Sequence, residues 1–184
     1  MQKDERIILG IDPGTNIMGF GVVMMQGKNP LYRDMGVLDL RKLGDPYLKL
    51  RHIYKTTLQW IERYHPDELA IEAPFYGKNV QSMLKLGRAQ GVAIAAALSR
   101  EVPVFEYAPR KIKLAITGVG QASKEQVSAM LAAQLSITDM PESFDATDGL
   151  AVAVCHCYER SDGQKKSSSG SWEEFIRKNP GRIK

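Results

Sequence analysis

The sequence predicts an α/β fold with a five-stranded mixed sheet flanked by helices on both faces. Three observations carry this reading. Short apolar runs with brief connections crowd the first 40 residues; apolar groups then recur at helical spacing after residue 45; two more short strands alternate with helices further on.

Arg6 to Ile11 is an apolar run ended by Asp12-Pro13-Gly14, a buried strand and then a turn. Strands around Gly19 to Met25 and Asp34 to Leu40 follow, and their short connections suggest an antiparallel meander. Residues 46–64 carry Leu50, Ile53, Tyr54, Thr57, Ile61 and Tyr64 at helical spacing, and His65-Pro66-Asp67 stops that helix. Glu68 to Glu72 is the fourth strand, closed by Pro74. Asn79 caps a long helix to about Arg100, with Val80, Met83, Leu84, Gly87, Gly91, Ile94 and Leu98 expected on its inward face. Gly87 and Gly91 lie one turn apart, which lets another backbone approach closely there. Val102 to Tyr107 is the last strand, and Pro103 suits an edge position. Pro109 opens a short helix that ends by Gly118 and Gly120, and Ser123-Lys-Glu-Gln126 is a capping box before a helix to about Leu135. The final helix starts near Ser143 or Phe144 and reaches about Tyr158. The composition then turns to Lys, Ser and Gly, which divides the chain into a domain over 1–160 and a flexible basic tail over 161–184. Trp172, Phe175 and Ile176 in that tail are expected to cover their own domain or remain mobile, with docking on a partner or another domain as the alternative.

With 184 residues, 43% hydrophobic and 25% charged, the chain has the size and balance of one globular domain. The longest apolar run, Val92 to Leu98, is too short to cross a bilayer, and the polar start leads directly into a strand rather than a signal peptide. A cytoplasmic protein is expected. The net charge of +4 and pI near 9.0 admit a nucleic-acid partner without requiring one. Cys155 and Cys157 would point about 200° apart on a helix, so no disulfide is expected, and without a second Cys or His pair at ligand spacing no zinc site is expected either.

Four acids stand where packing alone would not put them. Asp12 and Glu72 each end an apolar strand, and on neighbouring strands they would lie about 5 Å apart. Asp145 and Asp148, three residues apart, share a face of a helix otherwise rich in Ala, Val and Leu. Converging carboxylates repel and need a cation. Hard divalent ions such as Mg²⁺ take such oxygen ligands, and two of them about 4 Å apart serve phosphodiester hydrolysis. Each acid also has an ordinary explanation: Asp12 as a turn former, Glu72 as a solvent-facing edge residue, Asp145 as a partner of the helix dipole, Asp148 on a solvated face.

Several segments together resemble the RuvC family of Holliday junction resolvases. They are Ile8-Leu-Gly-Ile-Asp-Pro-Gly-Thr15, Ala70-Ile-Glu-Ala-Pro-Phe75, Lys78-Asn79, the run from Ser82 to Ile94, Val102 to Ala108, and Asp145 to His156. The resemblance spans about residues 6–158 and implies a ribonuclease H-like fold. It implies a homodimer that nicks two strands of a four-way DNA junction symmetrically, leaving 5′-phosphate and 3′-hydroxyl ends. Mg²⁺ is the implied cofactor, two ions in number, with Mn²⁺ able to substitute. The implied catalytic and metal-binding acids are Asp12, Glu72, Asp145 and Asp148. Phe75, Lys113 and Lys124 match DNA-contacting positions, and RuvA and RuvB are the implied protein partners.

Two rivals remain at this level: an actin-like ATPase fragment, because an Asp-x-Gly-Thr turn can cradle phosphate, and a junction-binding protein without catalysis. The first needs a second domain for which this length has no room. His156 lies about 12 Å beyond Asp148 along the helix and is expected to pack rather than share a metal shell.

Overall fold

The protein's structure is a computed structural model that describes residues 5–74, 79–141 and 143–163. Strands β1 (Glu5–Asp12), β2 (Ile17–Gln26), β3 (Asn29–Asp39), β4 (Glu68–Glu72) and β5 (Val104–Tyr107) form a sheet of order β3-β2-β1-β4-β5. The first three strands are the expected antiparallel meander, and β4 and β5 join β1 in parallel. The helices are α1 (Pro46–Tyr64), α2 (Val80–Leu98), α3 (Pro109–Thr117), α4 (Lys124–Leu135) and α5 (Phe144–Gly163). Among the described residues no helix is long and apolar enough to cross a membrane.

Helix starts follow their capping chemistry. The Asp45 carboxylate accepts from the Tyr47 and Leu48 amides, the Asn79 side chain accepts from the Ser82 amide, and Ser123 with Gln126 forms the reciprocal box. β3 begins at Asn29, well before Asp34, where the sequence suggested it. A tight turn at Gly27, whose φ is 63°, folds β2 straight back into β3. Pro30, which reads as a strand breaker, is tolerated because β3 is an edge strand.

Alternation sorts the sheet's side chains. Leu9 and Ile11 of β1, Phe20 of β2 and Leu69 and Ile71 of β4 pack beneath α1 and α2, where Phe20 stacks on Trp60 at 5.2 Å. Ile8, Val23 and Ala70 face the opposite layer of α3, α4 and α5. By the same alternation Asp12 and Glu72 fall on the α5 side.

One helix face differs from its expectation. Val80, Leu84 and Leu98 of α2 are 65%, 54% and 57% exposed, and nothing stands within 4 Å of where a side chain at Gly87 or Gly91 would begin. Of the expected inward residues Ile94 does pack, partly buried, against the core, but the buried face is Ala89, Gln90, Ala93, Ala96 and Ala97. The helix carries two apolar stripes, and small alanines let its axis approach the layer below more closely than leucines would. Cys155 and Cys157 are buried free thiols, as expected. α5 continues to Gly163, past the end of its apolar pattern.

α5 lies directly on the backbone of β1 and β2. A Cβ on Gly10 would fall 2.3 Å from the Gly149 carbonyl oxygen, one on Gly21 2.3 Å from Leu150 Cα, and one on Gly19 1.9 Å from the Asp145 carbonyl oxygen. Gly149 is equally constrained from the helix side, where a Cβ would fall 2.6 Å from the Phe20 amide nitrogen. These are backbone neighbours that cannot yield by a rotamer change. Gly19→Ala is therefore expected to cost about 3 kcal/mol, lowering Tm by roughly 10 °C in thermal denaturation. Gly44→Ala, where the added methyl meets nothing within 4 Å, is the comparison that stays near the wild-type Tm.

Candidate active site

The site begins with strand register. Ile11 pairs with Ile71, so Asp12 and Glu72 end adjacent parallel strands on the same face. The turn after Asp12 admits no side chain at Gly14, where a Cβ would fall 1.6 Å from the Ile17 carbonyl oxygen. That turn sends the chain back as β2 and leaves Asp12 at the sheet's end. α5, pressed on the glycines of β1 and β2, brings Asp148 to the same place.

Asp12, Glu72 and Asp148 line one cleft of about 320 Å³ together with Lys113 and Lys124. Asp145 stands at its margin: its carboxylate accepts from Ser143 Oγ at 2.8 Å, while its charge still reaches Asp12 and Asp148. Lys113 reaches the cleft from the middle of α3 and Lys124 from the first residue of α4, on either side of the loop at Gly118 and Gly120. Phe75 and Lys78 lie outside the described residues.

The electrostatics are those of crowded, part-dry acids. Burial raises the Asp12 carboxyl well above its ordinary value, and repulsion from Glu72, Asp148 and Asp145 adds to that, with Lys124 opposing. Burial and the Asp148 charge push Glu72 up to about 7. Asp148 is also raised by burial, although Lys124 Nζ donates to it at 2.5 Å. Lys124 is thus the cation that the cluster holds. Among the described residues no three His, Cys, Asp or Glu side chains stand arranged to hold a metal ion. The donor set is nonetheless all oxygen and short of positive charge, the chemistry that suits a hard divalent cation.

Two supporting groups escaped the sequence reading. Gln90, buried on α2, donates to the Glu72 carbonyl oxygen at 3.2 Å and to Glu106 Oε2 at 2.9 Å, fixing the end of β4. Its signal was a lone amide among alanines. His156 packs as expected, but within a polar chain: it meets Tyr107 Oη through Nδ1 at 2.7 Å and Glu68 Oε2 through Nε2 at 2.8 Å. Arg160 donates to the other Glu68 oxygen. Burial holds His156 below its ordinary value despite Glu68, so its neutral ring accepts from Tyr107 and donates to Glu68. Burial would raise Glu68, but the hydrogen bonds from His156 and Arg160 outweigh it and hold the carboxyl low. Glu68 opens β4 and Glu72 ends it; His156 and Asp148 lie on α5. The chain therefore ties together the two elements that deliver these acids.

Fold and site together define a ribonuclease H-like α/β protein with an acid-and-lysine cleft at the ends of its central strands. The sequence model of one family, described as Crossover junction endodeoxyribonuclease RuvC, matches residues 8–156, and the chain belongs to that RuvC family. It is 62% identical to the Bacteroides fragilis protein of that name, over 98% of this chain and 97% of that one. To the Christiangramia forsetii protein it is 58% identical, over 99% and 95%. Among solved structures, Thermus thermophilus RuvC in complex with Holliday junction substrate aligns with a TM-score of 0.80 at 29% identity, over 86% of this chain and 96% of that one.

If Asp12 is held under repulsion, Asp12→Asn raises Tm by a few degrees in EDTA. Mg²⁺ then stabilises the wild type more than the variant. Equal melting shifts with Mg²⁺ in both would count against a cation at this cluster.

Proposed function

We propose that the chain is a metal-dependent endonuclease that resolves four-way DNA junctions by nicking two strands symmetrically, leaving 5′-phosphate and 3′-hydroxyl ends. The observation that supports it most is three carboxylates and two lysines lining one cleft in a member of the RuvC family. Asp12, Glu72, Asp145 and Asp148 are assigned as catalytic and metal-binding acids, and Phe75, Lys113 and Lys124 as DNA contacts. Mg²⁺, as two ions with Mn²⁺ able to replace them, would be held by the four acids and would supply charge neutralisation and an activated water.

The chain's own groups divide the remaining work. Lys113 and Lys124 hold the phosphate flanking the scissile bond. Gln90 and the glycine-lined seat of α5 keep Glu72 and Asp148 facing each other. A homodimer supplies two clefts for two strands. Its contact is assigned to the outward stripe of α2, where Val80, Leu84 and Leu98 stand exposed beside Gly87 and Gly91. RuvA and RuvB as partners rest on the family resemblance, and the cytoplasm as the compartment rests on the chain's composition and apolar patterning.

Asp12→Asn is expected to abolish Mg²⁺-dependent nicking of a synthetic four-way junction while junction binding on a gel survives. Retained nicking would reject the site, and a wild type that binds but never nicks would favour the non-catalytic rival. Leu84→Glu is expected to shift the particle from dimer to monomer in analytical ultracentrifugation with its Tm changed little, because Leu84 faces solvent in the single chain.

A further inference from the structure

A second cavity stands apart from the acid cleft. A groove of about 410 Å³ opens between the start of α1 and the first turns of α2. Its floor is apolar, from Leu50, Ile53 and Ala89, while its rim carries Lys49, Lys85 and Arg88 with Asn16 and Ser82. Among the described residues no acid lines it. Tyr47, 75% exposed, stands at the mouth. Among the described residues, no ion pair engages Lys85 or Arg88, both exposed, and the groove sets these two beside Lys49 with no carboxylate in its lining.

The groove adjoins the cleft. Thr15 and Asn16 line it, and they belong to the turn that directly follows Asp12. Lys49 Nζ donates to the Thr15 carbonyl oxygen at 3.0 Å and to Asn16 Oδ1 at 3.1 Å, which fastens the start of α1 to that turn. Acid cleft and basic groove are therefore two sides of one short turn. Unpaired cations around an exposed aromatic ring suit a polyanion that also offers flat bases.

We infer that this groove is a second DNA-binding site, in which Lys85 and Arg88 engage backbone phosphates of the junction strand that leaves the acid cleft and passes over the turn at Thr15. The inference rests on the endonuclease reading and extends its DNA-binding surface to the other side of the sheet. Lys49 shapes the turn, and Tyr47 offers its ring to the adjoining base or sugar.

The test measures junction affinity of the full chain in EDTA across a salt series, for wild type, the Lys85→Ala/Arg88→Ala double variant and a Lys28→Ala control. Lys28 is an exposed lysine in the turn between β2 and β3. Removing one cation from its phosphate should lower the slope of log affinity against log salt by about 0.9 and weaken binding on the order of tenfold near 0.1 M salt. The double variant is expected to fall by about two in slope and the control not at all. Wild-type slope and affinity in the double variant would overturn the inference. So would its conversion from dimer to monomer in sedimentation, which would make the groove an interface between copies. A wild type that neither binds nor nicks the junction would remove the endonuclease reading itself, whereas a wild type that does both beside an unaltered double variant would remove only the groove.

Discussion

The packing on which the site depends is the seat of α5 on β1 and β2. Helices normally rest on a sheet through side chains, but here Gly10, Gly19 and Gly21 bare the strand backbone and Gly149 bares the helix. The gap closes until backbone meets backbone along the first turns of α5, the part that carries Asp145 and Asp148. Asp12 is on β1, two residues from Gly10. A helix held further out by side chains would leave Asp148 away from the strand acids, and the cluster would not form.

That closeness has an electrostatic cost, visible in the raised Asp12, Glu72 and Asp148 carboxyls. The fold offsets it in two ways. Lys124, delivered by the capping box at the start of α4, sits on Asp148. Behind the cluster, Gln90 holds the end of β4, and the Tyr107–His156–Glu68–Arg160 chain locks β4 and β5 to α5. Repelling acids stay in register because neutral and cationic hydrogen-bond donors pin the elements that bear them.

Much of this was legible because it is local. Asp12 and Glu72 stand out as acids at the ends of apolar strands, and strand alternation assigns them a common face. Asp145 and Asp148 share a helix face by spacing alone. The α2 face was misassigned because periodicity reports that a stripe is apolar, not which of two stripes meets the core. Val80, Leu84 and Leu98 are the larger residues, yet the alanines are buried. Gln90 and Glu68 were missed because a single polar residue in an apolar segment gives no indication of its partner.

By itself the sequence determined the order of strands and helices, their caps, the four candidate acids and the RuvC resemblance, since each rests on spacing along the chain. Tertiary structure alone decided which acids line the cleft and which stands at its margin, which side of α2 faces outward, and that a basic groove backs onto the turn after Asp12. Those outcomes depend on how closely separate backbones approach, and that distance is set by side chains far apart in sequence acting together.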